Sequence, residues 1–294
     1  MSREERTESI LEFILPSIEK YYSPPHDQKV QKPFILGLTG LQGCGKSTLA
    51  TDIVTALNNK HSYRAIEISL DDFYETHLER QELRKQHPSN KLLNVRGQPG
   101  THDTALASWF FSQFSVTEPD TSTAEIELPI FDKSLHNGDG DRLPRSEWRV
   151  IPRELPIQVI VFEGWCVGFT PLKLEEIEIK WNQAKESRVS SGTKQASETT
   201  PNVESRYSIT TLADHSLDDL SFINRQLATY HERFMGPEHF DFMVHLDTLD
   251  LRNVYIWRSE QERKLRESRG MGMTDSQVIE FGKPLDCALS RIIY

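Results

Sequence analysis

One stretch of the chain has residue types and spacing suited to holding phosphate groups. It matches the pattern G-x-x-x-x-G-K-[ST] in full, with the sequence Gly40-Leu41-Gln42-Gly43-Cys44-Gly45-Lys46-Ser47 followed by Thr48. The glycines allow the backbone to turn so that successive N–H groups point at one anion. Lys46 can reach the β- and γ-phosphates of a nucleotide, and the Ser47 hydroxyl can bind Mg²⁺. The stretch is therefore predicted to bind a Mg²⁺–nucleotide complex.

Two acids are placed to act on a phosphate held in this loop. Asp71 directly follows the apolar stretch 65–70, and Glu163 ends the apolar stretch 157–162. Because ligands of open parallel sheets bind beyond the carboxyl ends of the strands, both carboxylates should face the nucleotide. A carboxylate there can take the proton from an attacking hydroxyl group or hold the metal ion. The structural alternatives are a helix cap at Asp71 and Asp72, and a buried acid without a role at Glu163, which would be costly.

A late segment rich in arginine can supply positive charge to the transition state. Its arginines are Arg258, Arg263, Arg266 and Arg269, interleaved with Glu260, Glu262 and Glu267. Arg258 follows an apolar run and is the candidate catalytic arginine, because it lies at the edge of the core and can stabilise charge on the moving phosphoryl group. The alternative is a solvated helix face.

The elements that must position these residues follow from the pattern of apolar residues. The stretch "TESILEFILPSIEKYY" has the spacing of an amphipathic helix. A strand at Pro33–Thr39, the loop, a helix and a second strand at Ala65–Leu70 then follow in order, as at the start of a parallel α/β sheet. We further expect a helix with a threonine N-cap in "THDTALASWFFSQF" and strands in "AEIELPIFD", "IQVIVFEGW" and "FDFMVHL".

The length of 294 residues suits one large α/β domain or two small ones. We expect a single domain, 1–294, with an N-terminal helix and linker at 1–32 and a lid-like helical segment at 253–281. Residues 183–216 are rich in serine and threonine and are predicted to form a flexible surface insertion.

The composition excludes several classes of protein. The formal net charge of −10 is unsuited to general binding of nucleic acid, which needs a surplus of lysine and arginine. The three cysteines form no C-x-x-C pair, so neither a disulfide framework nor a structural zinc site is indicated. No stretch is apolar for long enough to cross a membrane. We expect a cytoplasmic protein that is a monomer or a weak homodimer.

Four motifs in this order resemble the P-loop small-molecule kinases of the uridine kinase, phosphoribulokinase and pantothenate kinase group. They are the phosphate loop, "LDDFY", "LPIFDKS" and "VIVFEGW". Within that group the chain is most similar to the plant and fungal D-glycerate 3-kinase family, through "DDFYETH", "NKLLNVRGQPGTHD", "FDKSLHNGDGDR", "FEGWCVGF" and "NVYIWRSEQERKLRESRGMGMTDSQV". The resemblance runs from about residue 33 to residue 278, and the final "EFGKPLDCALSRIIY" departs from it. It implies an α/β P-loop NTPase fold, a three-layer parallel sheet with helices on both faces.

The resemblance also implies roles for individual residues. The position of Asp71 corresponds to the catalytic base, and that of Glu163 to the second acid near the metal, so Ser47, Asp71 and Glu163 are the expected Mg²⁺ ligands. Asp71, Lys46 and Arg258 are the expected catalytic residues. Residues expected to bind the acceptor are Asp72, Tyr74, Arg96, His102, Asp132, Lys133 and Arg142. The basic members of that set suit an anionic acceptor. The alternative for the segment that carries Arg96 and His102 is a structural Ω-loop.

The favoured function is an ATP-dependent kinase that transfers the γ-phosphoryl group to a hydroxyl of a small metabolite, with D-glycerate preferred. One alternative is a kinase for a nucleoside or a pantothenate-like alcohol, because one or two side chains decide the acceptor. Another is a nucleotide-binding regulatory protein without turnover. A GTPase switch is disfavoured, since the stretch Asn90–Leu93 lacks the acid of the N-K-x-D motif.

Overall fold

The computed structural model describes residues 2–23, 32–114, 125–153, 156–192 and 211–247, together with residues 256, 257, 259, 260, 263 and 267. The helices in these ranges are α1 (Arg3–Tyr22), α2 (Lys46–Asn59), α3 (His77–Gln86), α4 (Thr104–Ser112), α5 (Leu174–Gly192) and α6 (Leu217–Tyr230). The strands are β1 (Phe34–Gly40), β2 (Ala65–Ser69), β3 (Glu125–Leu128), β4 (Phe131–Asp132), β5 (Asp141–Arg142), β6 (Arg149–Pro152), β7 (Val159–Gly164) and β8 (Phe242–Leu246).

The central sheet is parallel and has the strand order β2-β7-β1-β8. Strand β7 is buried along its whole length, which explains its continuous apolar sequence. Its register sets Glu163 opposite Leu38 of β1 on one side and opposite Ser69 of β2 on the other. The carboxyl ends of these three strands therefore meet at one edge of the sheet, as the sequence predicted.

Helices cover both faces of this sheet. On β7, Val159 and Val161 pack with α1, α2 and β1 in one cluster of buried residues. Ile160 and Phe162, which alternate with them, pack with residues of α4, α5 and α6 in a second cluster. Alternate residues of a strand point to opposite faces, so two cores lie on either side of one sheet. The fold is the three-layer α/β P-loop NTPase expected from the sequence.

Helix α4 begins differently from the expectation. Its N-cap is Asp103 and not a threonine, because the Asp103 carboxylate accepts a hydrogen bond of 2.8 Å from the backbone N–H of Leu106. Asp is as effective a capping residue as threonine, since both place a side-chain oxygen over the unpaired N–H groups of the first turn.

The predicted strand in "AEIELPIFD" is two short strands outside the central sheet. Strand β3 pairs antiparallel with β6, and β4 pairs antiparallel with β5. Pro129 lies between β3 and β4, and its missing N–H interrupts the ladder. Residues of both ribbons line the cavity described below, together with residues from the carboxyl ends of β2 and β7.

The predicted insertion begins inside a helix, because α5 continues to residue 192. Residues 193–210 lie outside the described part of the chain. The predicted lid-like segment 253–281 also lies outside it, apart from the six single residues named above, each of which is helical.

Candidate active site

The phosphate loop joins the end of β1 to the start of α2. Gly45 is the N-cap of α2 and has φ 90°, in the left-handed region that glycine adopts without strain. The Lys46 side chain is buried, and its Nζ donates a hydrogen bond of 2.9 Å to the carbonyl oxygen of Leu41. This contact holds the ammonium across the loop. The ammonium and the N–H groups of the first turn of α2 thus concentrate positive charge at one point, which suits a phosphate.

Ser47 and Glu163 bring two oxygen atoms together beside the loop. The Ser47 hydroxyl donates a hydrogen bond of 2.9 Å to Glu163 Oε1. Burial raises the pKa of Glu163, and the charge of Asp71 raises it further, against the opposing effect of Lys46. A buried carboxyl with a raised pKa has little compensating charge, so a cation placed here would favour its ionised form.

Asp71 lies at the start of a 3₁₀ turn, Leu70–Phe73, that continues from β2. Its Oδ2 is 2.6 Å from Lys133 Nζ, and its carboxylate also accepts a hydrogen bond from Tyr74. Burial acts to raise the pKa of Asp71, but the charge and hydrogen bond of Lys133 outweigh it, and the pKa lies below its usual value. Asp71 is therefore an ionised carboxylate at neutral pH, the state that a general base needs.

Asp72 caps the 3₁₀ turn that contains it. Its Oδ2 accepts a hydrogen bond of 3.1 Å from the N–H of Ser69, which completes the cap of the 3₁₀ turn. Burial and the neighbouring charge of Asp71 raise the pKa of Asp72 to about 6. The capping role that the sequence offered as an alternative is thus present at Asp72, while Asp71 keeps its side chain toward Lys133.

A cavity of about 350 Å³ joins these groups. Five of the residues predicted from the sequence line it, namely Ser47, Asp71, Asp72, Lys133 and Glu163. Its lining also contains residues that the sequence did not indicate, among them Thr51, Glu67, Ser69 and Arg149. Arg149 arrives from β6 and donates a hydrogen bond of 3.1 Å to the carbonyl oxygen of Glu67. No motif marks Arg149, because the ribbon that carries it is recognisable only once its pairing is known.

Both arginines that were predicted to bind the acceptor form contacts with neighbouring loops. Arg96 donates hydrogen bonds of 2.5 and 3.0 Å to the carbonyl oxygens of Gly138 and Asp139. Arg142 forms an ion pair of 2.9 Å with Asp103. Both arginines stabilise the loops next to the cavity and are absent from its lining.

His102 and Tyr74 help to hold Asp71 in position through ring stacking and a hydrogen bond. The two rings stack with centroids 4.3 Å apart, and the Tyr74 hydroxyl reaches Asp71. Burial lowers the pKa of His102 to about 3, so its ring is neutral. Asp132, the remaining predicted acceptor residue, accepts hydrogen bonds of 2.8 and 2.6 Å from the backbone N–H and hydroxyl of Ser134. None of these three residues lines the cavity.

Arg258, the predicted catalytic arginine, lies outside the described residues. Within the described ranges, no group of three or more histidine, cysteine, aspartate or glutamate side chains could hold a metal ion. Mg²⁺ does not need such a group, because it commonly binds one or two carboxylates together with substrate phosphates and water. The adjoining oxygens of Ser47 and Glu163, with Asp71 across the same cavity, fit that mode of binding.

Comparison with known proteins identifies extensive similarity to kinases. The chain is 35% identical over 274 residues to the uncharacterized kinase mug58 of Schizosaccharomyces pombe, across 93% of this chain and 84% of that protein. It is 30% identical over 282 residues to the probable ATP-dependent kinase TDA10 of Saccharomyces cerevisiae, across 94% and 83% of the two chains. The solved structure of a D-glycerate 3-kinase from Cryptococcus neoformans var. grubii superimposes with a TM-score of 0.77 at 29% identity, covering 98% of this chain and 88% of that one.

No protein-family model matches the chain. In the described part of the chain, no helix has both the length and the apolar character that crossing a membrane requires.

Proposed function

The chain belongs to the kinase family that includes TDA10 and D-glycerate 3-kinase, and from that premise we propose that its acceptor is a small anionic hydroxy acid, D-glycerate being favoured. As a member of this family the chain is a phosphotransferase that uses ATP and an alcohol acceptor. One observation supports an anionic acceptor above all. Lys133, which is more than half exposed, lies 2.6 Å from Asp71 in the cavity beside the phosphate loop.

The proposed reaction uses these residues in distinct roles. The N–H groups of residues 40–48 and the Lys46 ammonium hold the phosphates of ATP. Asp71 accepts the proton of the acceptor hydroxyl as its oxygen forms a bond to the γ-phosphorus. The bond between that phosphorus and the bridging oxygen of ADP breaks, and ADP leaves with the electron pair. Lys133 binds the acceptor carboxylate and thereby places the hydroxyl near Asp71.

Mg²⁺ would be held by Ser47 and Glu163, with Asp71 nearby, and would supply charge neutralisation on the phosphates. Arg258 stays a predicted catalytic residue that lies outside the described part of the chain. The monomeric or weakly dimeric state and the cytoplasmic location likewise stay predictions.

The function is tested by measuring ADP release with D-glycerate, a nucleoside panel and pantothenate as acceptors. We expect D-glycerate to give the highest kcat/KM, and Asp71→Asn to lower kcat by about 10²–10⁴-fold, the usual contribution of a general base. Lys46→Ala is the control that removes the phosphate contact and so abolishes turnover with every acceptor.

Two outcomes would contradict the proposal. A nucleoside or pantothenate preferred over D-glycerate would reject the acceptor, and Asp71→Asn activity within threefold of the unmodified protein would reject the base. Binding of ATP without ADP release from any acceptor would favour a regulatory role.

A further inference from the structure

The N-terminal helix brings an arginine to the outer side of the phosphate loop. Helix α1 packs through Leu11, Ile14 and Ile18 against β1 and α2. One turn from its start, Arg6 approaches the loop so closely that a methyl group built on Gly45 would lie 3.4 Å from Nη2 and 3.7 Å from Nη1. The guanidinium therefore lies beside the residue that caps α2.

Within the described part of the chain, Arg6 forms no salt bridge. Its Nε is buried without a hydrogen-bond partner, and none of the described carboxylates lies within ion-pair distance of its guanidinium. Asp52, an acid on which the charge of Arg6 acts, is paired with Arg3, whose Nε and Nη2 lie 2.5 and 2.6 Å from its carboxylate oxygens. Arg6 affects Asp52 only through its charge, as a minor contribution beside the Arg3 hydrogen bond that lowers the pKa of Asp52.

Three sources of positive charge thus meet at the loop. They are the Arg6 guanidinium, the Lys46 ammonium and the N-terminal end of α2. Positive charges held near one another repel, and the repulsion is stronger where burial weakens screening by water. The charges of Lys46 and Arg6 both act on Cys44 in the loop, where they oppose the rise in pKa that burial causes. An anion bound in the loop would offset these charges.

We propose that Arg6 is a nucleotide-binding residue, which stabilises the polyphosphate held by residues 40–48 from the side of the N-terminal helix. The effect is electrostatic, since Arg6 adds a positive charge close to the phosphates in a partly buried place where screening is weak. Helix α1 then has a second function besides covering the sheet, because it completes the nucleotide site. The proposal concerns the nucleotide and is independent of the identity of the acceptor.

A purely structural role and a nucleotide-binding role for Arg6 predict opposite effects of its loss on the melting temperature of the free protein. If Arg6 only stabilised packing between α1 and α2, its loss would lower the melting temperature of the free protein and would not affect nucleotide binding specifically. If Arg6 acts on bound phosphate, its loss relieves repulsion in the free protein and weakens nucleotide binding.

The test compares Arg6→Gln with Arg3→Gln. Arg3 lies one turn away on the same helix and is paired with Asp52. Dissociation constants for ATP and ADP are measured by calorimetry without any acceptor, at two salt concentrations, together with the melting temperature of the free protein. We expect Arg6→Gln to weaken ATP and ADP binding about tenfold, to reduce the salt dependence of binding, and to leave the melting temperature unchanged or higher. Arg3→Gln should bind both nucleotides within twofold of the unmodified protein.

Arg6→Lys, which keeps the charge, should recover most of the lost affinity, and Arg6→Met, which also removes the charge, replaces Arg6→Gln if that variant does not fold. Nucleotide affinity within twofold for Arg6→Gln, or equal losses for both glutamine variants, would overturn the proposal. A failure to phosphorylate D-glycerate would leave these binding results unaffected, so the two proposals can fail separately.

Discussion

At the scale of single residues, the ion pair between Lys133 and Asp71 links the affinity for the acceptor to the strength of the base. Lys133 is the main influence that lowers the pKa of Asp71 against the effect of burial. An anionic acceptor would compete with Asp71 for the same ammonium. When the acceptor carboxylate takes part of this charge, Asp71 loses stabilisation and becomes a stronger base at the moment when a hydroxyl is present.

We therefore predict two effects of Lys133→Met. The KM for D-glycerate should rise about tenfold, because a charge-assisted contact is lost. The pKa of Asp71 should rise, so the acidic limb of kcat/KM should move to higher pH, since the base must be ionised to act. The measurement is a pH profile of ADP release with D-glycerate.

Lys85→Met is the matched control for this prediction. Lys85 is an exposed lysine on α3 whose ammonium is 3.4 Å from Glu82, away from the cavity. Its loss should change neither the KM nor the pH profile, because exposed pairs contribute little. An unchanged acidic limb in Lys133→Met would mean that the pair does not control the base.

At the scale of elements, helix α6 holds the loop that carries His102. The Tyr230 hydroxyl accepts hydrogen bonds from the N–H groups of Gly100 (2.7 Å) and His102 (3.1 Å). With both lone pairs engaged, it donates its own hydrogen to His102 Nδ1 at 3.0 Å. The neutral His102 ring therefore carries its proton on Nε2. The ring stacks on Tyr74, which contacts Asp71, so α6 fixes the position of the base through two intermediate side chains.

Tyr230→Phe should lower the free energy of unfolding by about 2 kcal/mol, because one buried and one part-buried backbone N–H group lose their acceptor. It should also lower kcat more than it raises the KM for ATP, since the loop lies next to Asp71 and not at the phosphate loop. Denaturant unfolding and steady-state kinetics measure these effects.

Tyr22→Phe provides the comparison, because Tyr22 also donates a hydroxyl hydrogen bond, to the carbonyl oxygen of Gln158 at 2.6 Å, far from the cavity. Its removal should cost about 1 kcal/mol of stability and leave kcat unchanged. If Tyr230→Phe lost stability but kept full kcat, the link from α6 to the base would be wrong.

The sequence predicts local features of these elements better than their pairing. The central strands and the phosphate loop carry short, self-contained signals, and Asp71 and Glu163 follow directly from their places at strand ends. The ribbons β3–β6 and β4–β5 depend on pairing between distant segments, and so Arg149 could not be predicted as a cavity residue. Arg96 and Arg142 have the right charge for an acceptor site, but their partners at residues 103, 138 and 139 are determined by tertiary packing.

At the scale of the whole molecule, an acidic chain with a net charge of −10 has buried carboxyls near its active site. Burial, together with a hydrogen bond to Glu79, raises the pKa of Glu75 to about 8. Between its ordinary value and this value, the folded protein binds a proton at Glu75 that the unfolded chain has released. The slope of unfolding free energy with pH is therefore negative for this group, and its contribution to stability falls as pH rises through that window.

Other buried groups act mainly at lower pH. The pKa of Asp72 is raised to about 6, so its similar effect is complete below pH 7. The pKa of His102 is lowered to about 3. The free energy of unfolding therefore rises with pH for this group between about pH 3 and about pH 6.5, where the unfolded histidine becomes neutral. The range from pH 7 to pH 8 thus isolates Glu75 from these two groups.

We predict that the free energy of unfolding of the nucleotide-free protein falls by about 1 kcal/mol between pH 7 and pH 8. This is somewhat less than the full effect of one proton over one pH unit, because Glu75 with a pKa of about 8 is already partly ionised in this range. Glu75→Gln should abolish most of this fall, because a glutamine keeps the shape of the neutral acid and cannot ionise. Glu82→Gln, at an exposed glutamate on α3, should leave the fall intact. Denaturant unfolding at the two pH values measures all three proteins, and an equal fall in Glu75→Gln and the unmodified chain would show that the proton is released elsewhere.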